Sequence, residues 1–200
     1  MPLVVLGTRN RKKGQELVAL LAPLGISLGT LADFPQALEV EETGATFAEN
    51  ARLKAVEQAK HLGHWVLGED SGLAVDALQG APGVYSARYS GQGATDASNN
   101  EKLLAALAAV PLEQRTAYYV CHAVLADPHG EVRAESTGRC GGRMRLAPAG
   151  SGGFGYDPLF EVLEYHRTFG ELSPAVKSAL SHRARAIRQL APELLRALSR

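Results

Sequence analysis

The sequence has few cysteines and no surplus of charge of either sign. Only 2 of its 200 residues are cysteines, and Cys121 and Cys140 have neither CxxC nor metal-ligand spacing. We therefore expect both to be reduced core or strand residues of a cytoplasmic protein. The 21 basic residues balance 21 acidic ones, so the formal net charge is zero. Proteins that bind duplex nucleic acid usually need a basic surplus, which argues against that class.

Long apolar runs are absent as well. No run approaches the ~20 residues that span a bilayer, so we expect no membrane association. The apolar segment at residues 1–7 lacks a preceding basic region, which argues against a signal peptide. With 46% apolar residues, the composition is ordinary for a globular protein with a substantial core.

Strand-like runs alternate with helical periodicity along the chain. We predict strands at residues 3–6, 26–31, 65–68, 116–126 and 131–139, and helices at 13–24, 96–109, 174–180, 182–191 and from 192 onward. A capping box, Thr46 with Glu49, predicts a further helix start. The turn at 127–130 predicts a hairpin between the last two strands. No linker divides the chain, so we expect one α/β domain with a mixed sheet over residues 1–200.

Polar and basic residues gather where the first strand meets the first helix: Thr8, Arg9, Asn10, Arg11, Lys12 and Lys13. Backbone N–H groups at a helix N-terminus are unpaired and attract anions. Cations there are unfavourable unless an anion is near, so we interpret the segment as a phosphate cradle. The alternative is a capped helix with a solvated basic first turn.

Two adjacent carboxylates follow the predicted strand at 65–68. Glu69 and Asp70, with Glu41 and Glu42 upstream, offer the oxygen ligands that Mg²⁺ takes together with phosphates and water. One carboxylate could also remove a proton from an attacking water. The alternative is an ordinary surface turn, because Asp-Ser-Gly is common in turns.

Two later segments offer further aromatic and polar side chains. Phe154 and Asp157 follow a glycine-rich loop; an aromatic ring there can stack on a base, although it is more often a core anchor. Lys177 lies one turn before Ser181-His182-Arg183 at a helix start. Those donors could face a ligand, or they could form a helix cap with a solvated basic face.

Taken together, these segments resemble the inosine triphosphate pyrophosphatase family of non-standard purine NTP pyrophosphatases. The matching segments occur in family order and span nearly the whole chain. They are 8–13 (TRNRKK), 41–51 (EETGATFAENA), 69–76 (EDSGLAVD), 80–88 (GAPGVYSAR), 151–158 (SGGFGYDP), 169–172 (FGEL) and 177–183 (KSALSHR).

The resemblance implies a role for each matching residue. Thr8, Asn10 and Lys13 would hold the triphosphate. Asp70 would be the metal-bound general base, with Glu41 as the second Mg²⁺ ligand and Ser71 on the substrate. The nucleoside site would be lined by Phe154, Gly155, Tyr156, Asp157, Lys177, His182 and Arg183.

The resemblance also implies an architecture and an assembly. It predicts a long, mixed, twisted sheet flanked by helices, with two lobes around a central substrate cleft, in a homodimer. Glu69 replaces the Asp usual in the family, and either direct or water-mediated contact with the metal stays open. Arg9 and Arg11 replace the smaller residues common in the family. They either add phosphate contacts or are solvated.

The implied reaction is hydrolysis of ITP, dITP and XTP to the monophosphate and pyrophosphate, which cleanses the nucleotide pool. A donor-only Arg183 and backbone N–H groups of the 154–157 loop would favour a 6-oxo purine over adenine. Two alternatives remain: a related pyrophosphatase acting on other modified or standard dNTPs, and a non-catalytic nucleotide- or RNA-binding module.

Overall fold

Seven strands form one sheet in the computed structural model of the chain, which describes residues 2–199; Met1 of the predicted N-terminal segment, and Arg200, lie outside it. The strands are β1 (Leu3–Leu6), β2 (Ser27–Thr30), β3 (Trp65–Val75), β4 (Thr116–Ala126), β5 (Val132–Met144), β6 (Phe160–Val162) and β7 (Arg167–Thr168). The α-helices are α1 (Arg11–Leu21), α2 (Phe47–Leu62), α3 (Asp96–Ala106), α4 (Pro174–Leu180) and α5 (His182–Leu198).

The strand order is β2-β1-β3-β4-β5-β6-β7. β1 pairs in parallel with β2 and β3, whereas β6 pairs antiparallel with β5 and β7. The predicted α/β class with a mixed sheet is therefore confirmed. β4 and β5 are neighbours joined by the predicted turn, in which the Gly130 N–H donates to the Asp127 carbonyl at 2.8 Å.

The chain divides into two compact units. The first unit contains Met1–Ser71, Cys121–Gly138 and His182–Arg200, and the second contains Gly72–Val120 and Arg139–Ser181. The strands β3, β4 and β5 contribute residues to both. A single domain with a substrate cleft between two lobes stays a prediction.

Small residues let α2 pack closely on β3 in the first unit. Ala51, Ala55 and Ala59 recur on one face of α2 and are fully buried. A Cβ placed on Gly68 of β3 would lie 2.6 Å from the Ala51 carbonyl oxygen and 2.6 Å from the Ala55 nitrogen. The predicted capping box starts this helix, since both of its reciprocal hydrogen bonds are present.

Two strands are longer than predicted, and the two helical segments predicted before and after Pro192 form one helix. β3 continues to Val75, so the adjacent carboxylates lie inside a strand and not in a turn after it. β5 extends to Met144. α5 runs through Pro192 to Leu198, although an internal proline removes one helical hydrogen bond. Its buried apolar face offsets that loss; the buried leucines are Leu190, Leu194 and Leu198.

Both cysteines are buried and form no disulfide, as predicted. Cys121 belongs to the first unit and Cys140 to the second. Within residues 2–199, no helix is long and apolar enough to cross a membrane.

Candidate active site

Asp70 lies on β3 in the first unit with only 5% of its surface exposed. Its Oδ1 accepts a hydrogen bond from Nζ of Lys54 at 2.9 Å, and its Oδ2 accepts one from the Asn50 amide at 3.3 Å. Lys54 also contacts Oε1 of Glu42 at 3.0 Å. Burial raises the pKa of Asp70 above its usual range, although the Lys54 charge opposes that shift. A raised pKa suits a carboxylate that must accept a proton.

The partners of Asp70 come from a polar stripe on α2 that sequence analysis missed. Asn50, Lys54 and Gln58 are spaced by four residues and lie beside the buried alanines. Asn50 is held in turn by the Gly44 N–H, which donates to its Oδ1 at 2.8 Å. Polar residues at helical spacing beside a small-residue stripe were the signal that could have revealed them.

The carboxylates around Lys54 fit a divalent cation by their chemistry. Asp70 and Glu42 supply hard oxygen donors around one positive charge, and Mg²⁺ needs only one or two carboxylates besides phosphate and water. No larger cluster of acidic, histidine or cysteine ligands occurs in residues 2–199. The predicted ligand Glu41 has an exposed side chain, and its role stays a prediction.

Glu69 is fully buried on the neighbouring position of β3. Its Oε1 lies 3.3 Å from Nζ of Lys13, and its Oε2 lies 3.3 Å from Nη2 of Arg183. The Cys121 thiol donates to Oε2 at 3.3 Å. Burial alone would raise the pKa of Glu69, but the charges of Arg183 and Lys13 outweigh it and hold the pKa well below its usual range. Glu69 is therefore an ionised, buried counter-ion.

Both terminal nitrogens of Arg183 donate hydrogen bonds to neighbouring side chains. It is 1% exposed; Nη1 donates to Glu16, and Nη2 donates to Oγ of Ser71 at 2.8 Å. Burial opposes the charge of Arg183, but the carboxylate of Glu69 raises its pKa overall. Its Nε–H is buried and has no hydrogen-bond partner among the described residues. Next to it, His182 is also buried. The structure thus leaves one donor of Arg183 uncommitted.

The predicted phosphate residues surround the start of α1. Asn10 is the N-cap, and its Oδ1 accepts from the N–H groups of Lys12 and Lys13 at 3.0 and 3.1 Å. Thr8 accepts from the Asn10 N–H at 3.2 Å. Only Lys13 of this segment reaches the buried carboxylates, while the side chains of Arg11 and Lys12 are exposed.

Arg9 has a structural contact that sequence analysis did not anticipate. Its Nη2 donates to the carbonyl oxygens of Ala37 and Leu38 at 2.8 and 3.3 Å. The side-chain amide of Gln58 holds the same loop: its Oε1 accepts from the Leu38 N–H at 3.0 Å, and its Nε2 donates to the Leu38 carbonyl at 2.9 Å. Arg9 therefore fastens the loop that precedes Glu41.

A cavity of about 600 Å³ opens beside α1 in the first unit. Four predicted phosphate residues line it, namely Thr8, Arg9, Asn10 and Arg11. Most of the remaining wall is apolar and includes Val18. Asp70 and Lys13 do not line this cavity. It therefore offers mainly apolar surface beside the start of α1, away from the buried carboxylates.

The second unit contains a buried ion pair, Asp157 with Lys177, beside the aromatic rings of Phe154 and Phe169. Lys177 donates to Oδ2 of Asp157 at 2.6 Å, and the same oxygen accepts from the Phe154 N–H at 2.8 Å. The Lys177 ammonium lies 4.6 Å from the centroid of the Phe154 ring. Asp157 and Lys177 are buried, and Phe154 is half-buried. The structure therefore brings three of the predicted nucleoside residues into contact.

The rest of the 154–157 loop is used differently from the prediction. The Gly155 N–H donates to Asp96 at 2.9 Å, and the Asp157 N–H donates to the Phe154 carbonyl at 3.2 Å. With the Phe154 N–H also bonded, three of the backbone donors expected to meet a 6-oxo group are already occupied. Tyr156 is 3% exposed and its hydroxyl donates to the Ser86 carbonyl at 2.8 Å, which makes it a buried anchor.

A sequence model of the Ham1 family matches residues 4–193. Among curated proteins, a dITP/XTP pyrophosphatase of Rhodopirellula baltica is 55% identical over 96% of this chain and 93% of that protein. A dITP/XTP pyrophosphatase of Geobacter sulfurreducens is 49% identical over 97% of each chain.

Solved structures show the same similarity. A HAM1 protein from Coxiella burnetii is 40% identical, with a TM-score of 0.89 over 98% of this chain and 100% of that one. A nucleoside-triphosphatase / dITP/XTP pyrophosphatase from Mycobacterium abscessus is 45% identical, with a TM-score of 0.77 over 96% of this chain and 99% of that one.

Proposed function

The chain belongs to the Ham1 family, and from this membership and the Asp70 geometry we propose that it hydrolyses ITP, dITP and XTP to the monophosphate and pyrophosphate. The observation that carries the proposal is the buried Asp70 carboxylate, oriented by Asn50 and Lys54. A strand residue held by two donors is placed to orient a water against a phosphate. Relatives at 47–55% identity are named dITP/XTP pyrophosphatases, which supports this substrate class.

In the proposed reaction, Asp70 accepts a proton from water while the water oxygen bonds to the α-phosphorus. The bond from that phosphorus to the bridging oxygen breaks, and pyrophosphate leaves. Lys13 neutralises part of the polyphosphate charge, while Thr8 and Asn10 donate hydrogen bonds to the phosphate oxygens. Cleavage between the α- and β-phosphates follows the family resemblance and the names of the relatives.

The proposed cofactor is Mg²⁺, held by Asp70 and a second carboxylate. When bound, it supplies positive charge against the polyphosphate and lowers the pKa of water. The family resemblance assigns the second position to Glu41, whereas Glu42 shares Lys54 with Asp70. We retain Glu41 as the proposed ligand.

The adjacent pair Glu41 and Glu42 provides a matched test of that ligand. Glu41→Gln should raise the Mg²⁺ concentration for half-maximal activity by roughly 10-fold or more, because one charged ligand is lost. Glu42→Gln should shift it less. Titration of activity with Mg²⁺ gives this concentration for both variants. A larger shift in Glu42→Gln than in Glu41→Gln would identify Glu42 as the ligand.

The proposed nucleoside residues are Phe154, Gly155, Tyr156, Asp157, Lys177, His182 and Arg183, with Ser71 on the substrate. A half-buried ring can stack on a purine, while a buried Lys–Asp pair offers both a donor and an acceptor. Arg183 contributes its uncommitted Nε–H. Because that donor lacks a partner, a 6-oxo acceptor is favoured over the adenine amino group.

Location and assembly are proposed from composition and from the family resemblance. A balanced charge and two buried cysteines that form no disulfide suit a cytoplasmic enzyme without a nucleic-acid or membrane partner. The homodimer is proposed from the family resemblance, with the nucleoside triphosphate as the substrate partner.

One assay tests the function directly: incubation with ITP and Mg²⁺, followed by identification of the phosphate product. We expect IMP and pyrophosphate, with orthophosphate released only after an inorganic pyrophosphatase is added. IDP and orthophosphate as primary products would contradict the proposal. A panel of modified and standard dNTPs tests the related pyrophosphatase, while tight binding without turnover would indicate a non-catalytic module.

A further inference from the structure

Glu69 and Asp70 are adjacent in the sequence but contact different donors. Glu69 meets Lys13, Arg183 and Cys121, and both of its oxygens contact Nη2 of Arg183, at 3.3 and 3.5 Å. Asp70 meets Lys54 and Asn50. No donor among residues 2–199 lies within hydrogen-bonding distance of both carboxylates.

This separation follows from the geometry of β3. Successive side chains of a strand point to opposite faces of the sheet, so the two carboxylates face different elements. The Glu69 side chain has 0% exposure, and both of its oxygens already face protein donors. A cation held by Asp70 would compete for its oxygens with Lys54 and Asn50, and would displace none of the hydrogen-bond donors of Glu69.

The cations around Glu69 depend on it unequally. Arg183 has a second carboxylate partner in Glu16. Lys13 is only 17% exposed, and its ion pair with Glu69 is the one it makes within the described part of the chain. A poorly solvated ammonium without an anion is costly. Loss of the Glu69 charge would therefore affect Lys13 first and would leave it beside the like charge of Arg183.

We propose that Glu69 is a positioning residue that holds Lys13 and Arg183 for the substrate, and that it is not a metal ligand. The inference rests on the proposed function, which assigns Lys13 to the polyphosphate and Arg183 to the nucleoside. Glu69 thus acts on binding through Lys13 and Arg183, whereas Asp70 acts on the reacting water.

The test compares Glu69→Gln with Asp70→Asn. In Glu69→Gln, the KM for ITP and the Kd for pyrophosphate should rise roughly 10-fold, as expected for a lost charged contact. The Kd for Mn²⁺, measured by calorimetry without nucleotide, should stay within about twofold of wild type, because no ligand is removed. Asp70→Asn should weaken Mn²⁺ binding and lower kcat.

Two further variants separate positioning from general damage to the fold. Glu69→Asp keeps the charge and should restore most of the pyrophosphate affinity. The double variant Lys13→Ala with Glu69→Gln should bind pyrophosphate no more weakly than Lys13→Ala alone, because both changes act through one contact. If Glu69→Gln does not fold, this pair carries the test, since the double variant removes the unpaired ammonium as well.

Loss of Mn²⁺ affinity in Glu69→Gln comparable to that in Asp70→Asn would overturn the inference. So would additive losses of pyrophosphate affinity in the double variant, or a fall in kcat with KM unchanged. Pyrophosphate and Mn²⁺ binding need no turnover. A wild type that fails to release pyrophosphate from ITP would contradict the proposed function and leave these binding results to decide the role of Glu69.

Discussion

At the scale of single residues, the environment of Asp70 makes it suitable as a base. Burial raises its pKa, and two donors hold its oxygens in place. Lys54 bears a positive charge 2.9 Å away, so the carboxylate is stabilised without being solvated. An exposed aspartate would lack both the orientation and the altered proton affinity.

Asp70→Asn should therefore lower kcat by roughly 100-fold or more, because the base and a negative charge at the proposed metal site are both lost. The KM for ITP should change less, since Lys13 remains. Glu57→Gln is a matched control, because Glu57 is an exposed acid on α2 near Lys54, and its kcat should equal that of wild type. Near wild-type kcat in Asp70→Asn would place the base elsewhere.

At the scale of elements, the position of Asp70 depends on how closely α2 approaches β3. Asn50 and Lys54 reach Asp70 from α2. The approach is possible because alanines and Gly68 meet at the contact, with no space left for another methyl group. Packing of small residues and orientation of the carboxylate are therefore coupled.

Gly68→Ala should destabilise the protein by about 1–3 kcal/mol, because the added Cβ would meet the α2 backbone and force the elements apart. Gly141→Ala is the control in β5, where a Cβ would meet nothing within 4 Å. It should change stability by no more than about 0.5 kcal/mol. Urea denaturation measures the stability of both variants. If Gly68→Ala were as stable as Gly141→Ala, α2 would tolerate displacement from β3.

At the scale of the whole molecule, Arg183, the residue proposed to select the base, is held by residues from distant parts of the sequence. Arg183 is held by Glu16, which lies 167 positions away, and by Ser71, 112 positions away. Such contacts leave its Nε–H as the donor without a partner. The proposed base selectivity would therefore require the folded chain.

We expect kcat/KM for ITP and XTP to exceed that for ATP by a large factor, up to about 10⁴-fold, because adenine would place a donor against a donor. The ITP-to-ATP ratio should shrink in Arg183→Ala, with weaker binding of all nucleotides. Arg185→Ala, an exposed residue of α5, should keep the ratio. ATP hydrolysis as fast as that of ITP in wild type would contradict the substrate assignment.

The sequence by itself determined the features that depend on short-range physics. Helical spacing and the capping box of Thr46 and Glu49 located α2, and a long strand-like run located β4. The motif segments, in order, were sufficient to identify the family. These signals are local, because they arise from backbone periodicity and from contacts between near neighbours.

Only the tertiary structure decided which polar residues contact which carboxylate. The sequence placed Glu69 and Asp70 together, but the pleat of β3 separates their partners. Asn50 and Lys54 became partners of Asp70, and Glu16 a partner of Arg183, through packing across long sequence separations. Periodicity shows which face of an element is buried. It does not show which distant element covers that face, and that contact sets the pKa and orientation of the site.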